Sequence, residues 1–365
     1  MPLVLLGLVA TLHLYIGLRL GPWLALPAWS TAIALVCLLA AIAYGVWSLL
    51  ARRNDTGWRA WLGPLALGFF SSLLVLTLAR ELLLLVNASF RAESAAAVPL
   101  LALLASTVGL FNARRPSVRY IDVPIHKLSS HLQGFTVAQI SDLHVGATIR
   151  SRFVQRVVET TNALNPDLTV ITGDTVDGQV QELREHTAPL RQLQARHGVF
   201  AVTGNHEYYS GAEPWIAEFR RLGLTVLMNE HVLLEHGDAH LVLAGVADFT
   251  AHHFEPAHRS DPMAALIGMN QTGKKATKIL LAHQPRSAQS AQLAGFDLQL
   301  SGHTHGGQFF PWNFFVPLQQ PFTAGLHRLG QLWIYVSRGT GYWGPPKRLW
   351  APAEISLIRL VRAPT

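Results

Sequence analysis

The stretch Phe135-Thr136-Val137-Ala138-Gln139-Ile140-Ser141-Asp142-Leu143-His144 decides how the C-terminal two thirds of the chain is read. An apolar run of strand length ends at once in Asp-x-His. The pattern recurs four times downstream. Leu168–Ile171 leads into Gly173-Asp174-Thr175-Val176-Asp177, and Val199–Thr203 into Gly204-Asn205-His206-Glu207. Ile279–Leu281 leads into Ala282-His283, and Leu298–Leu300 into Ser301-Gly302-His303-Thr304-His305. Helical patterns over Ser151–Leu164 and Ala212–Leu222 lie between them, and further strands are expected at Leu224–Leu227, Leu241–Gly245, Trp333–Val336 and Ile355–Leu360. Strands alternating with helices predict an α/β domain of layered sheets. Ligands of open α/β sheets bind beyond the carboxyl ends of strands, where all five polar blocks fall.

Any one block alone is an ordinary turn, since Gly, Asn and Asp favour turn conformations. Five in one domain, each closing a strand, form a set of metal-ligand residue types. The types select the chemistry. Cys37 is the single cysteine, so a disulfide within the chain, a zinc knot and a cysteine-ligated iron–sulfur site are excluded. The His-Glu-x-x-His metalloprotease pattern is absent. Mixed carboxylate, imidazole and amide ligands suit Mn²⁺, Fe²⁺ or Zn²⁺. Seven candidate ligands, with one carboxylate shared, suit two divalent ions, an arrangement that clamps the attacking and leaving oxygens of a displacement at phosphorus.

Outward toward the N-terminus the composition changes. Residues 1–120 carry nine Lys/Arg and three Asp/Glu, whereas residues 121–365 carry twenty and nineteen. The net charge of +7 therefore lies almost entirely in the apolar third. The catalytic half lacks the basic stripe that nucleic acid requires, and no nucleic-acid partner is expected. Apolar stretches at Leu3–Leu18, Ser30–Leu50, Ala60–Ala79 and Ser94–Asn112 predict about four transmembrane helices, the third able to continue past Arg80 and Glu81 to Val86. A cleaved signal peptide at residues 1–20 lacks a positive leader and is followed by three more apolar segments. The expected division is 1–115 transmembrane and 116–365 catalytic. Arg52, Arg53 and Arg59 fall in one loop, and Arg114, Arg115, Arg119 and Lys127 follow the last span. The positive-inside bias then puts both termini and the catalytic domain in the cytoplasm.

In order and spacing the five blocks resemble the calcineurin-like metallophosphoesterase superfamily over about residues 130–365. The extended block Gly302–Gln308 and the tail Val336-Ser337-Arg338-Gly339-Thr340-Gly341, followed by Arg348 and Ala353-Glu354-Ile355, are similar to a bacterial transmembrane subgroup with a C-terminal catalytic domain. The resemblance implies a four-layer α-β-β-α sandwich of two stacked mixed sheets. It implies one metal held by Asp142, His144, Asp174 and His305, and a second by Asp174, Asn205, His283 and His303. A bridging hydroxide would attack phosphorus, and His206 would contact the phosphate and protonate the leaving group. Asp177 reads either as an orienting partner of a ligand or as a plain turn residue. Arg338 reads either as a phosphate contact or as half of a salt bridge.

Beside the histidine pair, Phe309, Phe310, Trp312, Phe314 and Phe315 crowd a proline-containing loop. They read as an acyl-chain groove, as residues resting at a bilayer interface, or as a satellite core. With the apolar segments they point to a lipid bilayer as partner, to the bacterial inner membrane, and to a phosphodiester or lipid-linked pyrophosphate substrate. UDP-2,3-diacylglucosamine of lipid A biosynthesis is an example of that substrate class. The alternative is an anchored phosphodiesterase of broad specificity acting on soluble substrates.

Overall fold

Twelve strands form two six-stranded mixed sheets in the computed structural model, which describes residues 2–50 and 57–364. The chain divides into two compact units. One holds residues 1–113 together with Gly344–Leu349, and the other holds Arg114–Trp343 and Trp350–Thr365.

The helical unit contains α1 (Pro2–Leu20), α2 (Ala28–Leu50), α3 (Arg59–Val86) and α4 (Arg91–Ala113). Three segments, Ala28–Ser48, Arg59–Val86 and Ala88–Ala113, are long and apolar enough among the described residues to cross a membrane. Exposed apolar side chains cover these helices, including Trp29, Val36, Leu82, Leu85, Leu100 and Leu104. α3 does continue to Val86, and Arg80 pairs with Glu81 at 3.0 Å near its end. α2 and α3 meet closely: a Cβ on Gly45 would stand 2.6 Å from Gly63 Cα. Small residues allow that approach where both neighbours are apolar. The six residues Gly344–Leu349, expected with the catalytic domain, lie with the helices, and Lys347 Nζ donates to Gly68 O at 3.1 Å. Arg52 and Arg53, on which the topology reading leans, lie outside the described residues.

In the second unit the strands are β1 (Ser117–Ile125), β2 (Thr136–Ile140), β3 (Leu168–Thr172), β4 (Val199–Val202), β5 (Thr225–Val226), β6 (Glu230–His236), β7 (Ala239–Gly245), β8 (Thr277–Leu281), β9 (Leu298–Ser301), β10 (Gly325–Leu329), β11 (Leu332–Val336) and β12 (Glu354–Arg362). The first sheet runs β1-β12-β2-β3-β4-β5 and the second β10-β11-β9-β8-β7-β6. Val137, Val170, Phe200 and Ile358 of the first sheet share one apolar cluster with Leu243, Ile279, Leu300 and Tyr335 of the second. The sheets are therefore stacked face to face. α5 (Ser151–Ala163) buries Phe153, Val154, Val157, Val158 and Thr161, the spacing of a single helical face. α6 (Val180–Thr187), α7 (Asn205–Ser210) and α8 (Ala212–Arg221) follow. β2, β3 and β4 are parallel neighbours in one sheet, and β8 and β9 in the other. Their carboxyl ends deliver all five polar blocks.

Candidate metal centre

Three of the five blocks turn sharply as their strands end. Asp142, His144, Asp174, His303 and His305 all have positive φ, between 50° and 69°. For non-glycine residues such angles cost energy, about 1–3 kcal/mol each, and concentrate at functional sites. Glycines make the turns possible. A Cβ on Gly204 would collide with the Asp174 carboxylate, and one on Gly302 with Ser141 and Asp142.

The turns gather the predicted ligands into two overlapping groups. Asp142, His144 and His305 offer ligand atoms within 4.8 Å of one another, as do Asp174, His283 and His303. His144 Nε2 lies 3.0 Å from His305 Nε2, and His305 Nε2 lies 3.6 Å from Asp142 Oδ1. In the second group His283 Nε2 stands 3.1 Å from Asp174 Oδ2 and 3.2 Å from His303 Nδ1. Asp174 Oδ2 is also 3.9 Å from His144 Nε2, so this carboxylate faces both groups.

The donor chemistry fits cations. His283 Nδ1 is 2.8 Å from Thr172 O, to which it donates, which turns Nε2 toward the cluster. Asn205 Oδ1 is buried without a hydrogen-bond partner among the described residues, a costly state for an amide oxygen unless something accepts its lone pairs. Asp142 is wholly buried, where Ser141 Oγ donates to it at 2.6 Å and His303 N at 2.9 Å.

A third group sits alongside: His144, Asp177 and His206. Asp177 Oδ1 accepts from His144 Nδ1 at 2.9 Å and from His206 Nδ1 at 2.6 Å. Burial pushes the Asp177 carboxyl up, but the charge and hydrogen bond of His144 and those of His206 outweigh it and bring it to about 2. Burial likewise lowers the His206 imidazole, yet the Asp177 hydrogen bond and the Asp174 and Asp177 charges raise it to about 9. Burial and the neighbouring His283 charge bring His303 down to about 3.

Two contributors escaped the sequence reading. Glu207, fully buried, accepts from Asp174 N (3.0 Å), Thr175 N (2.6 Å) and Gly204 N (2.6 Å), stitching two ligand loops together. The carboxylate stood in the Gly-Asn-His-Glu block, but only the fold reveals the donors that Asp174 and Thr175 bring to it. Gln308 clamps the backbone of Trp343 at both ends of its amide. Arg338 joins neither metal group. Its Nη1 lies 3.3 Å from Oε2 of buried Glu354, and its stem packs where a Cβ on Gly306 would be. Phe309 is buried, but Trp312, Phe314 and Phe315 are exposed, which leaves the aromatic loop open to solvent rather than closed as a satellite core.

The family model described as calcineurin-like phosphoesterase matches residues 135–307. A Danio rerio protein named transmembrane protein with metallophosphoesterase domain is 39% identical over 286 residues, 76% of this chain and 64% of that one. An uncharacterized metallophosphoesterase of Aquifex aeolicus is 35% identical over 226 residues, 61% of this chain and 84% of that one. Another, from Bacillus subtilis, is 30% identical over 263 residues, covering 68% and 88%. The chain spans less than two thirds of the length of the Danio rerio and Bos taurus relatives. With its site loops in the matched order and two such relatives covered over most of their length, the chain belongs to the calcineurin-like metallophosphoesterases.

Proposed function

We propose that the protein is a membrane-anchored, dinuclear-metal phosphoesterase that hydrolyses phosphodiester or pyrophosphate bonds of lipid-linked substrates. The observation that carries this reading is the gathering of carboxylate and imidazole ligands into two groups, beside which Asn205 Oδ1 is buried with no hydrogen-bond partner among the described residues. Asp142, His144, Asp174 and His305 would hold one cation, and Asp174, Asn205, His283 and His303 the other. Manganese, iron or zinc fits this donor set. When bound, such a pair neutralises phosphate charge and lowers the pKa of water toward neutrality.

The chain's own groups do the rest. Asp177 holds His206 Nδ1, so Nε2 is the nitrogen left for substrate. Water adds across the P–O bond, and the leaving oxygen keeps the bonding pair and takes a proton from His206. Asp177, by its second hydrogen bond, turns His144 Nε2 into the cluster. Arg338, 21% exposed at its side chain and beside the histidine loop, is a candidate phosphate contact once its pairing with Glu354 loosens.

The lipid side of the reading rests on the three apolar segments and the exposed aromatics Trp312, Phe314 and Phe315. The arginine bias supports a catalytic unit on the cytoplasmic side, and a multi-pass protein of the bacterial inner membrane is the setting this reading assigns. The nucleotide-linked diacylglucosamine of lipid A synthesis is one member of the substrate class. The test is hydrolysis by full-length protein with Mn²⁺ of a soluble aryl phosphodiester against a nucleotide-linked diacyl sugar. Turnover concentrated on the lipid substrate supports the reading, whereas equal turnover makes the protein an anchored general phosphodiesterase.

A further inference from the structure

His206 is flanked by two aromatic rings that the chemistry above does not use. Tyr209 lies 5.2 Å from it at 63°, and Trp343 lies 5.7 Å from it at 74°, both measured between ring centroids. Both rings are open to solvent, at 62% and 57% exposure. Phe254, also exposed, extends the surface 5.6 Å beyond Tyr209. An exposed apolar patch at the edge of a charged site marks a place where something apolar is received.

Both rings are held by the same elements that hold the metal ligands. Tyr209 sits three residues after His206 on α7, so the two share a helix face. Trp343 ends a segment in which Thr340 N donates to Ser141 O at 2.7 Å and Gly341 N donates to Asp142 O at 3.0 Å. Gln308 then fixes its backbone: Gln308 Nε2 donates to Trp343 O at 2.8 Å, and Trp343 N donates to Gln308 Oε1 at 2.9 Å. Gln308 is itself 8% exposed, with φ of 59°, three residues after His305. The Trp343 backbone is thereby tied to the two loops that carry Asp142 and His305. Such anchoring fixes a ring at low entropy cost to a ligand.

We propose that Tyr209 and Trp343 form a leaving-group subsite that receives an apolar ring or chain carried on the alcohol of the phosphoester, with Gln308 as the residue that positions the indole. The inference rests on the phosphoesterase reading and on His206 facing the leaving oxygen. A substituent on that oxygen must pass the rings beside His206, where it loses contact with water. A small or strongly polar alcohol gains nothing there.

The test uses purified full-length protein with Mn²⁺ and three diesters of one common phosphate, with ethanol, 1-octanol and 2-phenylethanol as leaving alcohols. These are primary alcohols, so the readout is the preference in kcat/KM for the apolar esters over the ethyl ester. Wild type is expected to prefer one or both. Trp343→Ala and Tyr209→Ala should cut that preference about tenfold, through KM more than kcat. Gln308→Ala should cut it in part, and Trp343→Phe should keep most of it. Preference for the octyl ester alone assigns the subsite to lipid chains, and for the phenylethyl ester alone to planar rings. An unchanged preference in variants that melt at the wild-type temperature overturns the proposal, as does a wild type without preference. Asn205→Ala with undiminished turnover of the ethyl ester would instead sink the underlying phosphoesterase reading.

Discussion

Asp177 Oδ1 accepts the Nδ1 proton of His206 at 2.6 Å. The same oxygen accepts from His144 at 2.9 Å, so one carboxylate orients both a metal-type ligand and the ring assigned to proton transfer. Partners of this kind are worth about 10–100-fold in metal affinity or activity. Asp177→Asn should lower kcat/KM by about that factor and raise the Mn²⁺ concentration needed for half-maximal rate, as read from metal-titrated hydrolysis. Activity within twofold of wild type at every Mn²⁺ concentration would return Asp177 to the role of a turn residue.

Asn205 supplies a buried amide oxygen that has no hydrogen-bond partner among the described residues. In Asn205→Ala, one of two bound ions should be lost, a change that elemental analysis of the purified protein counts directly. His206→Ala should keep both ions yet lose turnover by about 10²–10⁴-fold, the range of a general acid. Two ions in both variants would remove Asn205 from the ligand set.

Glu207 is a matter of stability. Three backbone N–H groups from two ligand loops converge on one buried carboxylate. Glu207→Ala strands all three, and leaving even one buried donor unsatisfied costs about 1–3 kcal/mol. Thermal melting of the purified protein should show a drop of several degrees, whatever the metal content. A wild-type melting temperature would show that water replaces the carboxylate.

The interior of the fold was legible, and of its margins only the edge strand β5, expected at Leu224–Leu227, was. β2, β3, β4, β8 and β9 are buried along nearly their whole length, so each reads as an apolar run with a polar stop. β1, β6 and β10, which the sequence reading passed over, are all edge strands. Few of their residues are buried, and none in Glu230-His231-Val232-Leu233-Leu234-Glu235-His236, and their partners are set by tertiary pairing rather than by local pattern. The site divides in the same way. Seven ligand-type residues announce themselves by standing at strand ends, whereas the work of Glu207 and Gln308 includes contacts with backbone more than thirty residues away in sequence. The excursion of Gly344–Leu349 into the helical unit left no mark in composition either.

The helical unit yields its own prediction. Gly45 and Gly63 touch where α2 crosses α3, with no room for a side chain on either. Gly63→Val should loosen that crossing, lowering the melting temperature of full-length protein in detergent while bound-metal content stays at the wild-type value. An unchanged melting temperature would mean that the bundle re-forms around the added side chain.

The central claim is that the gathered carboxylates, imidazoles and amide make a metal-dependent phosphoesterase. Its most direct test is the rate at which metal-stripped full-length protein hydrolyses a soluble aryl phosphodiester as Mn²⁺ is added back, in wild type and in Asn205→Ala. The account predicts a rate near background without metal, a saturable rise in wild type, and a loss of most of that rise in the variant. A rate independent of added metal, or an identical rise in both proteins, would contradict it.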